Sequence, residues 1–161
     1  MGTGDTGAVS GAASVLVGRV AERRAGVGDP RALVGELRRA LVLVPLVGGG
    51  LWTAEFGGVR WVCGFTDEGA LARFAKARDA GDGRVSGREW EFAGIRGARL
   101  LDEVIPAMGV PAGVAVNIAD ADGSMLFPPV VGIVPEAVAV DAGGLGVGAV
   151  EVGGLREGGR G

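Results

Sequence analysis

The chain has 161 residues, enough for one domain with a well-buried core, and is 48% hydrophobic and 22% charged with a net charge of -3. It contains no histidine and one cysteine, which excludes a Ser/His/Asp triad, a Cys/His pair, a His-ligated metal, an intramolecular disulfide and a zinc site of several thiolates. The lone thiol points to a reducing compartment, and the mild negative charge with scattered arginines gives no reason to expect nucleic acid.

At the N-terminus, MGTGDTGAVSG has no basic stretch before an apolar run, and no segment reaches the ~18 uninterrupted apolar residues of a membrane span, so a cytoplasmic protein with no membrane contact is expected. Val9, Ala12, Ala13, Leu16, Val17 and Val20 recur at helical spacing and predict a first helix ending in AERRAG. Asp29 and Pro30 form an N-cap followed by proline at the first helical position, and Leu33, Val34, Leu37, Ala40 and Leu41 supply the stripe of a second helix.

LVLVPL, Leu41 to Leu46, reads as a short strand that Pro45 places at a sheet edge, since proline has no ladder donor. LWTAEF and VRWVCGF follow as two strands joined by Gly57-Gly58, a dipeptide that accepts the positive φ angles of a tight hairpin. Alternation on the second strand sets Val59, Trp61, Cys63 and Phe65 on one face and Arg60, Val62 and Gly64 on the other. Thr66 is the expected cap of the next helix, with Asp67 and Glu68 in its first turn and Leu71, Phe74 and Ala75 facing the core.

REWEF, Arg88 to Phe92, reads as a strand. Leu101, Val104, Ile105 and Met108 mark a further helix that Pro106 and MGVPAG should stop. GVAVNI, Gly113 to Ile118, is a strand, ADADGSMLFPP a loop, and PVVGIVPEAVAV one or two apolar pieces. From Asp141 the chain is so rich in glycine that only a weak strand at Ala149 to Val152 and a frayed tail are expected, and the letters leave open whether that strand joins the sheet.

The elements add up to an α+β single domain: a mixed or antiparallel sheet with a central β-hairpin, packed by three or four helices. Residues 1–28 form an N-terminal helix and connector, 29–140 the domain proper, and 141–161 a Gly-rich, partly flexible tail.

Cys63 lies at the start of the segment that most resembles an active site, a strand running into a capped helix. It shares its face with Trp61 and Phe65 and has no histidine to deprotonate it, so it is expected to be a small buried hydrophobe. Asp120 and Asp122 hint at a calcium loop, but counting from Asp120 the EF-hand pattern meets Ser124, Met125 and Val131 where it needs a ligand, a glycine and a glutamate. Gly144, Gly146 and Ala149 match a loose dinucleotide fingerprint with no helix to follow, and Gly48-Gly49-Gly50 lacks the lysine of a phosphate loop. Asp102 and Glu103 fall on the polar side of their helix. No catalytic, cofactor or metal residue is therefore expected, and no cofactor.

The order LVLVPL, hairpin, WVCGFTDEGALARFA, and then GARLLDEVIPAMGVPAGVAVNIADADGSMLFPP resembles the N-terminal domain of the bacterial SseB family over about Leu33 to Val140. Phe65-Thr66, Ala70-Leu71 and Phe74 match its central motif, Val116-Asn117 its strand end, and Phe127-Pro128-Pro129 its last segment. Ile118 departs from it, standing where the family usually has proline. Some members carry a second, C-terminal domain, whose role does not transfer. The resemblance implies a bacterial protein with no established catalysis or cofactor.

Together these readings lead to a non-enzymatic accessory module that docks a protein partner, with Trp52 and Trp90 as candidate anchors for which a place in the core is the favoured reading. The alternatives are a small-molecule sensor, prompted by the link of the relatives to serine sensitivity, and an enzyme that uses carboxylates or the thiol alone.

Overall fold

The computed structural model describes residues 3–81 and 90–142, with side chains from Ala13 onward. The described residues form a single-domain α+β fold whose strands fall into a three-stranded sheet, β2-β1-β5, and a four-stranded sheet, β3-β4-β6-β7.

Helix α1 (Thr3–Arg24) buries Ala13, Leu16 and Val20, while Val17, expected on that stripe, is 43% exposed. The 13-16-20 line alone faces the core, and Val17 lies a residue around the helix from it. Asp29 caps α2 (Pro30–Arg39): its carboxylate accepts the Arg31 N–H at 3.1 Å, and Leu33 and Leu37 are buried. Ala40 ends the helix in an extended conformation and the chain enters β1 (Leu41–Val47) at once.

Far from being an edge, β1 is the middle strand of its sheet. It pairs antiparallel with β5 (Phe92–Arg96) and with β2 (Gly50–Leu51) across the turn at Gly48 and Gly49, both at positive φ. Pro45 is tolerated because β1 bonds β5 through its even-numbered residues: the Leu46 N–H donates to Glu91 at 2.8 Å. The missing donor of Pro45 instead faces Trp52, whose own N–H donates to the Pro45 carbonyl. At that point the expected strand LWTAEF breaks. Leu51 stays with β2, and β3 (Thr53–Phe56) departs to the other sheet.

β3 and β4 (Val59–Gly64) form the expected hairpin, with Gly57 at φ 64° and Gly58 at φ 78°. β4 then pairs in parallel with β6 (Ala112–Val116), which pairs antiparallel with β7 (Met125–Phe127), a strand inside the segment expected to be a loop. Alternation in MLF is too short to register as a strand; the fully buried β6 beside it supplies the pairing. Leu43 and Phe65 exchange two backbone bonds of 2.8 Å, which join the two sheets.

Between β4 and β6 lie α3 (Glu68–Gly81), β5 and a continuous helical stretch: α4 (Gly97–Arg99), a π turn (Leu100–Val104) and α5 (Ile105–Ala107). Of the strand expected at REWEF, residues 88 and 89 lie outside the described residues and Trp90 and Glu91 are not in a strand; β5 starts at Phe92, since it is FAGIR that matches LVLVP residue by residue. Pro106 does not stop the helix. The Ile105 N–H reaches back five residues to Leu100, and this widened turn carries the proline within α5 before Gly109, at φ 73°, ends the run. A 3-10 turn (Glu136–Val138) follows β7. The expected strand at Ala149 to Val152 and the glycines at 144 and 146 lie outside the described residues.

The period of two divides the core. Val42 and Val44 of β1, Val62 of β4, and Ala112, Val114 and Val116 of β6 join Leu16, Val20, Leu33, Leu37, Leu101 and Ile105 on one side. Leu43, Trp61, Cys63, Phe65 and Ala115 join Ala70, Leu71 and Phe74 of α3 on the other. Helices thus cover both faces, and α1 contributes to the same cluster as the domain proper.

Candidate functional site

The strand-to-helix junction around Cys63 is the segment that the sequence marks as most like an active site. β4 and β6 run parallel, so their C-terminal ends, Phe65-Thr66 and Asn117, lie side by side at the N-terminus of α3. Ligands in open α/β sheets favour such strand ends.

Thr66 is not the helix cap. Asp67 is: its carboxylate accepts the Ala70 N–H at 2.8 Å, and its carbonyl accepts from Leu71. Thr66 is buried instead, and its backbone N–H donates to Oδ1 of Asn117 at 3.1 Å while its hydroxyl accepts from Asn117 Nδ2 at 2.9 Å. Asn117 has φ 51°, the only non-glycine at positive φ among the described residues, and its own N–H donates to Gly64 at 2.9 Å. Its side-chain amide thus continues the parallel ladder at the point where the backbone turns away. Asn suits this position because its short polar side chain tolerates left-handed backbone better than most residues. The sequence marked Asn117 as a motif match and missed this bonding, because Thr66 lies 51 residues away.

Asp120, the first residue of the suspected calcium loop, holds Arg73 of α3 through two bonds of 2.7 and 2.9 Å, and the arginine keeps its carboxyl below the usual carboxylate range. Arg24 of α1 donates to the carbonyls of Ala121 and Ser124, each at 2.9 Å, so helices α1 and α3 both grip this loop. Among the described residues no cluster of three metal-ligating side chains exists. Asp102 binds Arg38 through two bonds of 3.1 and 2.6 Å, and Glu103 lies 3.3 Å from Arg99.

Cys63 has no exposed surface, and burial pushes its thiol up to about 12, slightly opposed by the charge of Arg78. The thiol is protonated at neutral pH, and a thiol rather than a thiolate is a poor nucleophile. Trp52 and Trp90 are both half-buried and meet Phe74 edge-on, with ring centroids at 5.1 and 5.6 Å; Arg78 lies over the Trp52 ring. They build an aromatic cluster beneath α3.

A different feature is open to a ligand. Between the β2–β3 corner and the widened helical turn lies a groove of about 450 Å³, floored by Leu51, Val62, Val104 and Met108, with Thr53 and the Arg99–Glu103 pair at its sides. Val104, at the end of the π turn, and Met108 line one wall, and Leu51 and Thr53, where the chain crosses between sheets, line the other. Only the fold brings Leu51 and Met108 together, so no spacing in the sequence could announce the groove.

No family model, no curated protein and no solved structure matches this chain.

Proposed function

We propose that the chain is a non-catalytic accessory module of the SseB-like kind, acting in the bacterial cytoplasm by docking another polypeptide. The observation that carries this reading is the groove between the β2–β3 corner and the π turn, whose apolar floor and charged rim suit an apolar side chain held in an extended or helical segment. The reading is also supported by how the polar groups at the strand ends are used. Thr66 and Asn117 bond each other, Asp120 and Arg73 do likewise, Asp67 caps α3 through the Ala70 N–H, and the Cys63 thiol is buried and protonated. No helix among the described residues is long and apolar enough to cross a membrane.

Ala107 lines the groove and is exposed, so Ala107→Arg fills it without entering the core. The expected result is loss of a co-purifying partner from Ala107→Arg at an unchanged melting temperature. Retention of the same bound proteins by the variant and the wild type would remove the groove as the docking site.

A further inference from the structure

The outer edge of β5 is the longest open strand edge among the described residues. β5 sends the backbone groups of Glu91, Ala93 and Ile95 toward β1, as the bond from Leu46 to Glu91 at one end and that from Gly97 to Ala40 at the other establish. By alternation the N–H and C=O of Phe92, Gly94 and Arg96 point outward, and among the described residues no strand pairs with them. Such an edge templates strand pairing unless it is blunted. The other edges are: β2 has two residues, β7 three, and β3 carries Glu55 and the Arg60 pair on its short ladder. β5 has neither proline nor bulge, its single charge sits at one end, and Phe92 is 40% exposed.

We propose that β5 pairs antiparallel with β5 of a second copy of this chain, about a twofold axis through Gly94. In this register Gly94 meets Gly94, and Phe92 lies opposite Arg96 of the second copy, twice. This is the register that engages all three outward residues of each strand, and it sets the Arg96 side chain, whose guanidinium also holds the Arg39 carbonyl of its own chain at 2.7 Å, opposite Phe92 at both ends. Leu41 leans over Gly94, where a Cβ would stand 3.2 Å from its Cδ2, so the centre of the contact is apolar. Along the same edge runs a depression of about 490 Å³ whose charged lining is balanced, Arg96 and Arg99 against Asp102 and Glu103, so two identical faces meet without net repulsion. A pairing partner of other sequence would have to match this arrangement; a second copy does so by symmetry.

The test is sedimentation equilibrium of the full chain at micromolar concentration. The wild type should be a dimer. Phe92→Arg places arginine opposite arginine at both ends and should raise the dissociation constant roughly tenfold or more. Adding Arg96→Glu to it sets opposite charges face to face and should restore the dimer, with circular dichroism checking that each variant is folded. A monomeric wild type, a dimer indifferent to Phe92→Arg, or a folded double variant that stays monomeric each overturns the proposal. Should Phe92→Arg fail to fold, hydrogen exchange of the wild type decides: the amides of Phe92, Gly94 and Arg96 should slow as concentration rises, and exchange independent of concentration counts against it.

Discussion

At the scale of single residues, burial decides what Cys63 and Thr66 do. The Cys63 thiol is raised from 9.0 to about 12 because its charged form is excluded from an apolar site lined by Trp61, Phe65 and Phe74. A folded chain therefore keeps this proton where an unfolded one loses it, so the unfolded state binds fewer protons between about pH 9 and 12 and stability falls as pH rises through that window. Denaturant midpoints measured across alkaline pH should show this slope in the wild type and less of it in Cys63→Ala. At neutral pH that variant should lose on the order of 1 kcal/mol, and the native thiol should resist a small electrophile that modifies the unfolded chain. Alkylation at the unfolded rate would revive thiol chemistry. Thr66→Val keeps the shape but removes the acceptor for Asn117 Nδ2, leaving a buried donor unsatisfied, at a cost of about 1–3 kcal/mol in chemical denaturation.

At the scale of elements, helix starts and close approaches carry the measurable energies. Asp29→Ala and Asp67→Ala should each cost about 0.5–2 kcal/mol, because each carboxylate satisfies an otherwise unpaired N–H at a helix start. An unchanged denaturant midpoint in either variant would show that its cap contributes nothing. Gly97 opens α4 directly against the Leu37 carbonyl of α2, where a Cβ would collide with backbone and not with a yielding side chain. Gly97→Ala should thus force α2 and α4 apart and cost about 3 kcal/mol, read as a drop in melting temperature. Both caps obey local rules, and Asp29 is legible in DPRALVGEL. Thr66 and Asp67 are both acceptable caps by letter, and Asp67 is the cap in the fold, where the Thr66 hydroxyl is bonded to Asn117.

At the scale of the molecule, segments distant in sequence are clasped by ion pairs. Arg38–Asp102 ties α2 to the π turn, and Arg73–Asp120 ties α3 to the loop after β6. Arginine hydrogen bonds hold both aspartates below the usual carboxylate range. Their contribution is present above the unfolded value near 4 and is lost as pH falls through the lower folded values. These pairs are partly exposed and screened, so the effect is modest. The Asp102→Asn, Asp120→Asn double variant should lose less stability than the wild type between pH 6 and pH 3, measured by urea midpoints; equal losses would show that the clasps do not contribute.

The sequence by itself determined the α+β class, the Gly57-Gly58 hairpin, the two faces of β4 and the burial of Cys63, because period two, glycine at positive φ and apolar neighbours act within a few residues. Only the tertiary structure decided that β1 is a central strand, that LWTAEF divides at Trp52, that MLF is a strand and that Pro106 stays inside a helix. Each of these depends on a backbone partner that the side-chain pattern does not name: FAGIR for β1, Pro45 for Trp52, β6 for β7, and the five-residue reach of Ile105 to Leu100 for the proline. The groove and the open edge of β5 belong to the same class. The groove joins Leu51 and Thr53 to Val104 and Met108, and the edge of β5 is open only because β1 takes its other side, so the local pattern carries no signal for either.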